Sequence, residues 1–243
     1  MSELQALGIE CVGLDVTSAA SITALVDTLS SVQPYHGPLH IDALINNAGR
    51  SYLMPAADCD MAEVQATFDT NVFGAMRMVQ AFLPLLISSG DGIIINIGSV
   101  SATVSFPFGS TYSASKAALL AYSDTLRVEL KPVGVRVVTV LASAVKSKLS
   151  SHVWAAPEES VWKSCFDKFI ATIAPRAAVA TNTAQFFNQI ADLITSRRTR
   201  RNPPAHFWAG KYATVILVLN WLTCGKFWHY PMSRDLGLDK IKV

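Results

Sequence analysis

The chain has 243 residues, 51% of them apolar and 16% charged, with 20 Lys and Arg against 18 Asp and Glu. That apolar share excludes an intrinsically disordered protein, and the length suits one α/β domain with a substantial core. A formal net charge of +2 gives no general electrostatic footprint for nucleic acid, although Arg197, Arg198, Arg200 and Arg201 are locally basic.

The first apolar run, Ile9 to Leu14, ends in Asp15 and reads as a buried strand. Thr17 and Ser18 are N-cap candidates for a helix over Ser21 to Ser31. A second strand is expected over Ala43 to Ile45, closing on Asn46, and a long helix over Met61 to Ser88. Ile93 to Ile97 and Val135 to Leu141 are strand-like in their β-branched content, and between them Ser113 to Leu130 has helical spacing, punctuated by Pro132 and Gly134. Such alternation implies a parallel sheet with helices on both faces, a doubly wound α/β fold. Beyond Ala142 the pattern loosens into an irregular stretch with Trp154, Pro157 and Trp162, expected to close over a ligand crevice.

Cys11, Cys59, Cys165 and Cys224 lie far apart and offer neither CxxC nor a Cys/His spacing suited to zinc, so they read as reduced thiols. Met1 to Glu10 carries two acidic residues and no long apolar run, which makes an intracellular chain the expectation. The most apolar stretch, Ala213 to Leu222, falls well short of the ~20 residues a spanning helix needs. It suits contact with a membrane surface at most.

Tyr112-Ser113-Ala114-Ser115-Lys116 carries the strongest chemical signal. Positions i and i+4 share a helix face, so the phenol and the ammonium can approach one point, and a nearby cation favours phenolate. Tyr112 becomes a general acid or base. Ser99 follows an apolar strand at the carboxyl edge of the sheet, where its hydroxyl can hold a substrate carbonyl oxygen. Asn46-Asn47-Ala48-Gly49 follows another strand, and Gly49 permits close backbone approach or a positive φ. Asn71 lies in an apolar helix, either as a satisfied buried amide or, functionally, as a kink or a water anchor in a proton relay.

With Thr70-Asn71-Val72-Phe73-Gly74 and Ile97-Gly98-Ser99-Val100-Ser101 in the same order, the chain from about Ile9 to about Leu149 resembles the short-chain dehydrogenase/reductase family. That resemblance implies a Rossmann-type fold over residues 1–243, with a catalytic core at 1–150, a substrate lid at 151–200, and a last strand with an apolar and basic extension at 201–243. It makes Tyr112 the proton donor, Ser99 the substrate-orienting hydroxyl and Lys116 the residue that binds the nicotinamide ribose and lowers the tyrosine pKa, with Asn71 supporting the relay. Asp15 would hydrogen-bond the adenine ring, and Asn46, Ala48, Gly49, Val145 and Ser147 would line the cofactor, NADP or alternatively NAD. A small-molecule ketone substrate and a homo-oligomer are implied, without a nucleic-acid partner.

Phe207-Trp208-Ala209-Gly210-Lys211 and the apolar stretch after it resemble fungal acyldihydroxyacetone-phosphate reductase-like members, which implies NADPH, a lipid-like or secondary-metabolite ketone, and either cytoplasmic placement or peripheral contact with endoplasmic reticulum or lipid droplets. A last strand followed by a dimer-contact helix is the equal alternative. The family's Thr-Gly-x-x-x-Gly-x-Gly phosphate turn is not in this sequence, so the first βαβ unit is expected to be missing, and Ala142-Ser143 replaces the usual Pro-Gly. A non-catalytic interaction or membrane-surface protein is therefore the alternative function. A hydrolase built on Ser99 is disfavoured, because no Gly-x-Ser-x-Gly elbow surrounds it. Pocket walls are expected from Ser147 to Pro175, where Trp154, Trp162 and Phe166 suit either an apolar substrate or lid packing.

Overall fold

In the computed structural model, which describes residues 2–31, 39–104, 106–150, 152–196, 202–223 and 229–241, β-branched runs pair as one parallel sheet. Its strands are β1 (Ala43–Asn46), β2 (Ile93–Ile97), β3 (Arg136–Ala142) and β4 (His206–Ala209), in the order β1-β2-β3-β4. Ile95 lies between Ile45 on one side and Val138 on the other. Parallel strands need crossovers, and α1 (Ser2–Ala6), α2 (Ala19–Ser31), α3 (Met61–Phe68), α4 (Ala75–Ser88), α5 (Ser110–Leu130), α6 (Lys163–Ala171), α7 (Ile173–Ala178) and α8 (Thr183–Thr195) precede β4. After it come α9 (Ala213–Thr223) and α10 (His229–Leu236).

Because side chains alternate along a strand, each sheet face has its own core. Leu44, Ile94 and Val137 face Ile22 of α2, Phe82 and Leu86 of α4, and Leu126 and Leu130 of α5. Ile93, Ile95, Val138 and Val140 face Phe186, Ile190 and Leu193 of α8. Each such side chain contributes roughly 1.5–3 kcal/mol of burial. Helices thus cover both faces, as the doubly wound expectation requires.

Ile9 to Leu14 corrects one expectation, because the segment makes no strand. It has no ladder partner among the described residues, and Ile9, Val12 and Leu14 stay exposed. The strand signal was real in composition, but a strand exists only through a neighbour. The downstream turn is better fixed: the Asp15 carboxylate accepts from the Thr17 N–H at 2.9 Å and its hydroxyl at 2.7 Å.

Met61 to Ser88 is also not one helix. A π-helical turn over Asp69–Gly74 separates α3 from α4. Asp60 caps α3 by accepting from the Ala62 N–H at 2.9 Å, and Arg77 pairs with Asp69 at 2.8 Å across the turn. Gly74 is needed there, since a Cβ would stand 2.8 Å from the Val16 Cγ2. The helix carrying Tyr112 begins three residues earlier than expected, after Phe108 in the left-handed region at φ 64°.

A third core sits at the end of the sheet where the candidate site lies. Tyr52, Phe108, Phe166 and Phe169 are buried there, with Trp154 and Trp162 packed against them. Phe108 meets Phe166 edge-on with centroids 5.3 Å apart, and Tyr52 meets Trp154 at 4.7 Å. The basic cluster Arg197, Arg198, Arg200 and Arg201 lies outside the described residues.

Candidate active site

β2 ends at Ile97, and the chain turns through Gly98 into Ser99, which caps a short 3-10 turn over Val100–Ala102. The Ser99 hydroxyl accepts from the Ser101 N–H at 3.2 Å. Two turns of α5 bring Tyr112 and Lys116 against this corner. Lys116 is 4% exposed and donates from Nζ to the Ile97 carbonyl at 2.8 Å. Burial alone lowers its pKa from 10.5 to about 8. Its Nζ stands 6.0 Å from the centre of the Tyr112 ring.

The phenol departs from the sequence reading. Burial raises the Tyr112 pKa above its ordinary value of 10.0, and a hydrogen bond with Ser99 only opposes that rise. Lys116 is not among the causes, because its ammonium is turned to the Ile97 carbonyl. Tyr112 is therefore a protonated phenol at neutral pH, paired with the Ser99 hydroxyl. Such a pair can donate a proton to a carbonyl oxygen.

Behind the pair runs a buried amide relay. Asn71, 1% exposed within the π turn, accepts the Arg50 N–H at 2.7 Å through Oδ1. Its Nδ2 donates to the Arg50 carbonyl and to the Ser115 Oγ, each at 2.9 Å. Ser115 Oγ donates in turn to the Tyr112 carbonyl at 2.8 Å. The amide is satisfied, as the buried-amide reading expects, and it sits in an irregular turn.

These groups open onto a cavity of about 870 Å³. Ser99, Tyr112, Lys116, Ala48, Gly49, Val145 and Ser147 all line it, which brings together seven of the expected residues. Three others stand outside its wall. Asn71 acts through Ser115, and Asp15 is engaged with Thr17, whose hydroxyl and backbone bonds hold its carboxyl below the usual range. Asn46 donates from Nδ2 to the Asn96 Oδ1 at 2.8 Å, and Asn96 continues to the Ser123 Oγ at 2.8 Å, so this side chain ties the sheet to α5.

Gly49 has no positive φ, and a Cβ there would meet the Asn71 Oδ1 at 3.6 Å and the Lys116 Nζ at 3.8 Å, ordinary contact distances. After β3 the loop is pinned by single bridges, Ala144 to Lys211 and Val145 to Thr181, and the Lys146 N–H reaches the Thr181 carbonyl at 2.9 Å. The far wall was not foreseen. It comes from Phe186 and Phe187 of α8, Tyr212 and Ile216 at α9, and Met232 of α10. Trp154, Trp162 and Phe166 pack in the third core instead, which favours the lid-packing reading.

The sequence model of the short chain dehydrogenase family matches residues 1–158. The chain is 35% identical over 241 residues to the short-chain dehydrogenase virD of Hypocrea virens, covering 98% of this chain and 80% of that protein. It is 39% identical over 168 residues to an NADPH-dependent 1-acyldihydroxyacetone phosphate reductase of Schizosaccharomyces pombe, covering 67% of this chain and 55% of that protein. Among solved structures, a short-chain dehydrogenase from Streptomyces avermitilis superposes with a TM-score of 0.74 at 25% identity, over 96% of this chain and 83% of that one.

Proposed function

We propose that this chain, which belongs to the short-chain dehydrogenase family, is an NADP-dependent reductase of an apolar, lipid-like or secondary-metabolite ketone, with Tyr112 as the proton donor. The observation that carries the reading is that Ser99, the Tyr112 phenol and a buried Lys116 line one cavity. The name of the fission yeast relative supports NADPH over NADH.

The residues present fit the nicotinamide end of such a cofactor. Lys116 directs one N–H to Ile97, and no side chain at Gly49 covers its Nζ. Asn47, Ala48, Gly49, Val145 and Ser147 would hold the group beside it. When bound, the reduced nicotinamide supplies a hydride to the carbonyl carbon. Ser99 orients the carbonyl oxygen, and Tyr112 gives it the phenolic proton as the C–O bond becomes an alcohol. The phenolate so formed has the Lys116 Nζ 6.0 Å from its ring centre, within range of a favourable charge interaction. Asn71 and Ser115 fix the backbone from which Tyr112 projects.

The test is a fluorescence titration of the chain with NADPH and NADH, followed by turnover of apolar ketones by wild type and Tyr112→Phe. Saturable NADPH binding is expected in both proteins, with turnover in the variant reduced by ~100-fold or more, the usual weight of a positioned acid. A folded chain that binds neither nucleotide, or a variant that turns over like wild type, overturns the proposal.

A further inference from the structure

Among the described residues other than glycine, Phe108 at 64° and Tyr212 at 66° hold a positive φ. That conformation crowds a bulky side chain and persists only where the surroundings offset it. For Phe108 the offset is visible, because its ring is buried in the third core and packs edge-on against Phe166 and Phe169. Tyr212 has no such support. It is 56% exposed and belongs to none of the three cores. It stands third in the turn from Gly210 to Ala213, closed by the Ala213 N–H on the Gly210 carbonyl at 3.3 Å, where a positive φ ordinarily selects Gly or Asn. Tyr212 does line the catalytic cavity, and the Lys211 Nζ stands 5.2 Å from its ring centre in a cation–π contact.

We propose that Tyr212 is a specificity-determining residue for the reduction, its ring meeting the substrate at the cavity wall and, with Phe106, Phe186 and Phe187, selecting ketones that carry an aromatic ring. The inference rests on the reductase reading and narrows its substrate. Phe106, Phe186 and Phe187 line the same cavity, and the last two meet edge-on with centroids 5.3 Å apart. Aromatic pairs gain from their quadrupoles beyond what apolar area supplies, so such a wall separates a flat ring from a saturated one of similar size. A side chain already held by its turn and by Lys211 loses little freedom on contact, which directs that gain into binding. The strain at Tyr212 is then preorganisation for a ligand, whereas the strain at Phe108 is offset within the fold.

A matched pair of ketones tests the proposal: benzylacetone, and the same ketone with cyclohexyl in place of phenyl. Their dissociation constants are measured by ligand-observed NMR on the full chain and on Tyr212→Phe and Tyr212→Leu. All three chains keep a Cβ, so the turn strain is common to them and the comparison reads the ring alone. The preference for the phenyl ketone should be the same in wild type and Tyr212→Phe, and should fall by about three- to tenfold in Tyr212→Leu, the weight of one aromatic pair. A preference unchanged in Tyr212→Leu, a preference lost equally in Tyr212→Phe, or a folded wild type that does not bind benzylacetone overturns it. NADPH oxidation recorded with the same ketones separates the two readings. A preference that shifts as expected without any turnover overturns the reductase and leaves the aromatic site standing.

Discussion

Removing the Lys116 ammonium should change how stability depends on pH. In the folded chain, burial lowers this lysine from 10.5 to about 8, while the unfolded chain titrates near the ordinary value. Between those values the unfolded chain holds a proton that the folded chain has lost, so stability rises with pH through the window. The gain is absent below about 8 and complete above 10.5. At ~1.4 kcal/mol per pH unit the total is about 3 kcal/mol. Lys116→Met removes this gain and also leaves the Ile97 carbonyl without its donor, at a cost of about 1–3 kcal/mol. At neutral pH the relief of a buried charge and the lost hydrogen bond offset each other. The decisive quantity is therefore the difference in unfolding free energy between wild type and Lys116→Met, measured by urea titration at several pH values without nucleotide. Wild type should gain on the variant by about 3 kcal/mol between about pH 8 and 10.5. Parallel stability curves would refute the reasoning, since they would mean that the ammonium reaches solvent.

Two further substitutions probe the frame around the site. Ser115→Ala deletes the hydroxyl joining Asn71 to the Tyr112 backbone and should lower stability by about 1–3 kcal/mol in denaturant unfolding, with kcat falling more than KM rises. An unchanged kcat would show that the relay does not position Tyr112. Gly92→Ala places a Cβ 2.5 Å from the Leu86 carbonyl, a backbone atom that cannot turn aside. It should cost about 1–3 kcal/mol in thermal or urea unfolding, and a neutral result would mean that the α4–β2 connection shifts freely.

What was legible in the sequence is what local pattern decides. Ile93–Ile97 appears as a strand with the expected bounds, and β3 begins one residue later than expected and ends one later. Ser99, Tyr112 and Lys116 converge because a strand end and a helix start are both local signals. Ile9 to Leu14 failed because pairing is a property of two segments. Asn46 looked like a cofactor contact, yet its amide is used by Asn96, fifty residues away, which no local window contains. Phe187 and Ile216 were missed for the same reason: in an apolar helix, nothing in the spacing says which face meets a cavity and which meets a core.

The π turn over Asp69–Gly74 has a consequence for how this part of the chain tolerates change. Such a turn takes one residue more per circuit than an α-turn, so it works as a phase shifter worth about 100° of rotation. α3 and α4 each keep their own angular register, and a helical wheel drawn through both assigns one of them to the wrong side. Losing a single residue here would restore ordinary α-helical bonding while swinging α3 about its axis. Asp60, whose N–H now reaches the Tyr52 hydroxyl at 2.9 Å, and Glu63, now paired with Arg50, would both rotate off their partners. The irregular turn thus sets the azimuth of the helix that leads the chain to Asn71.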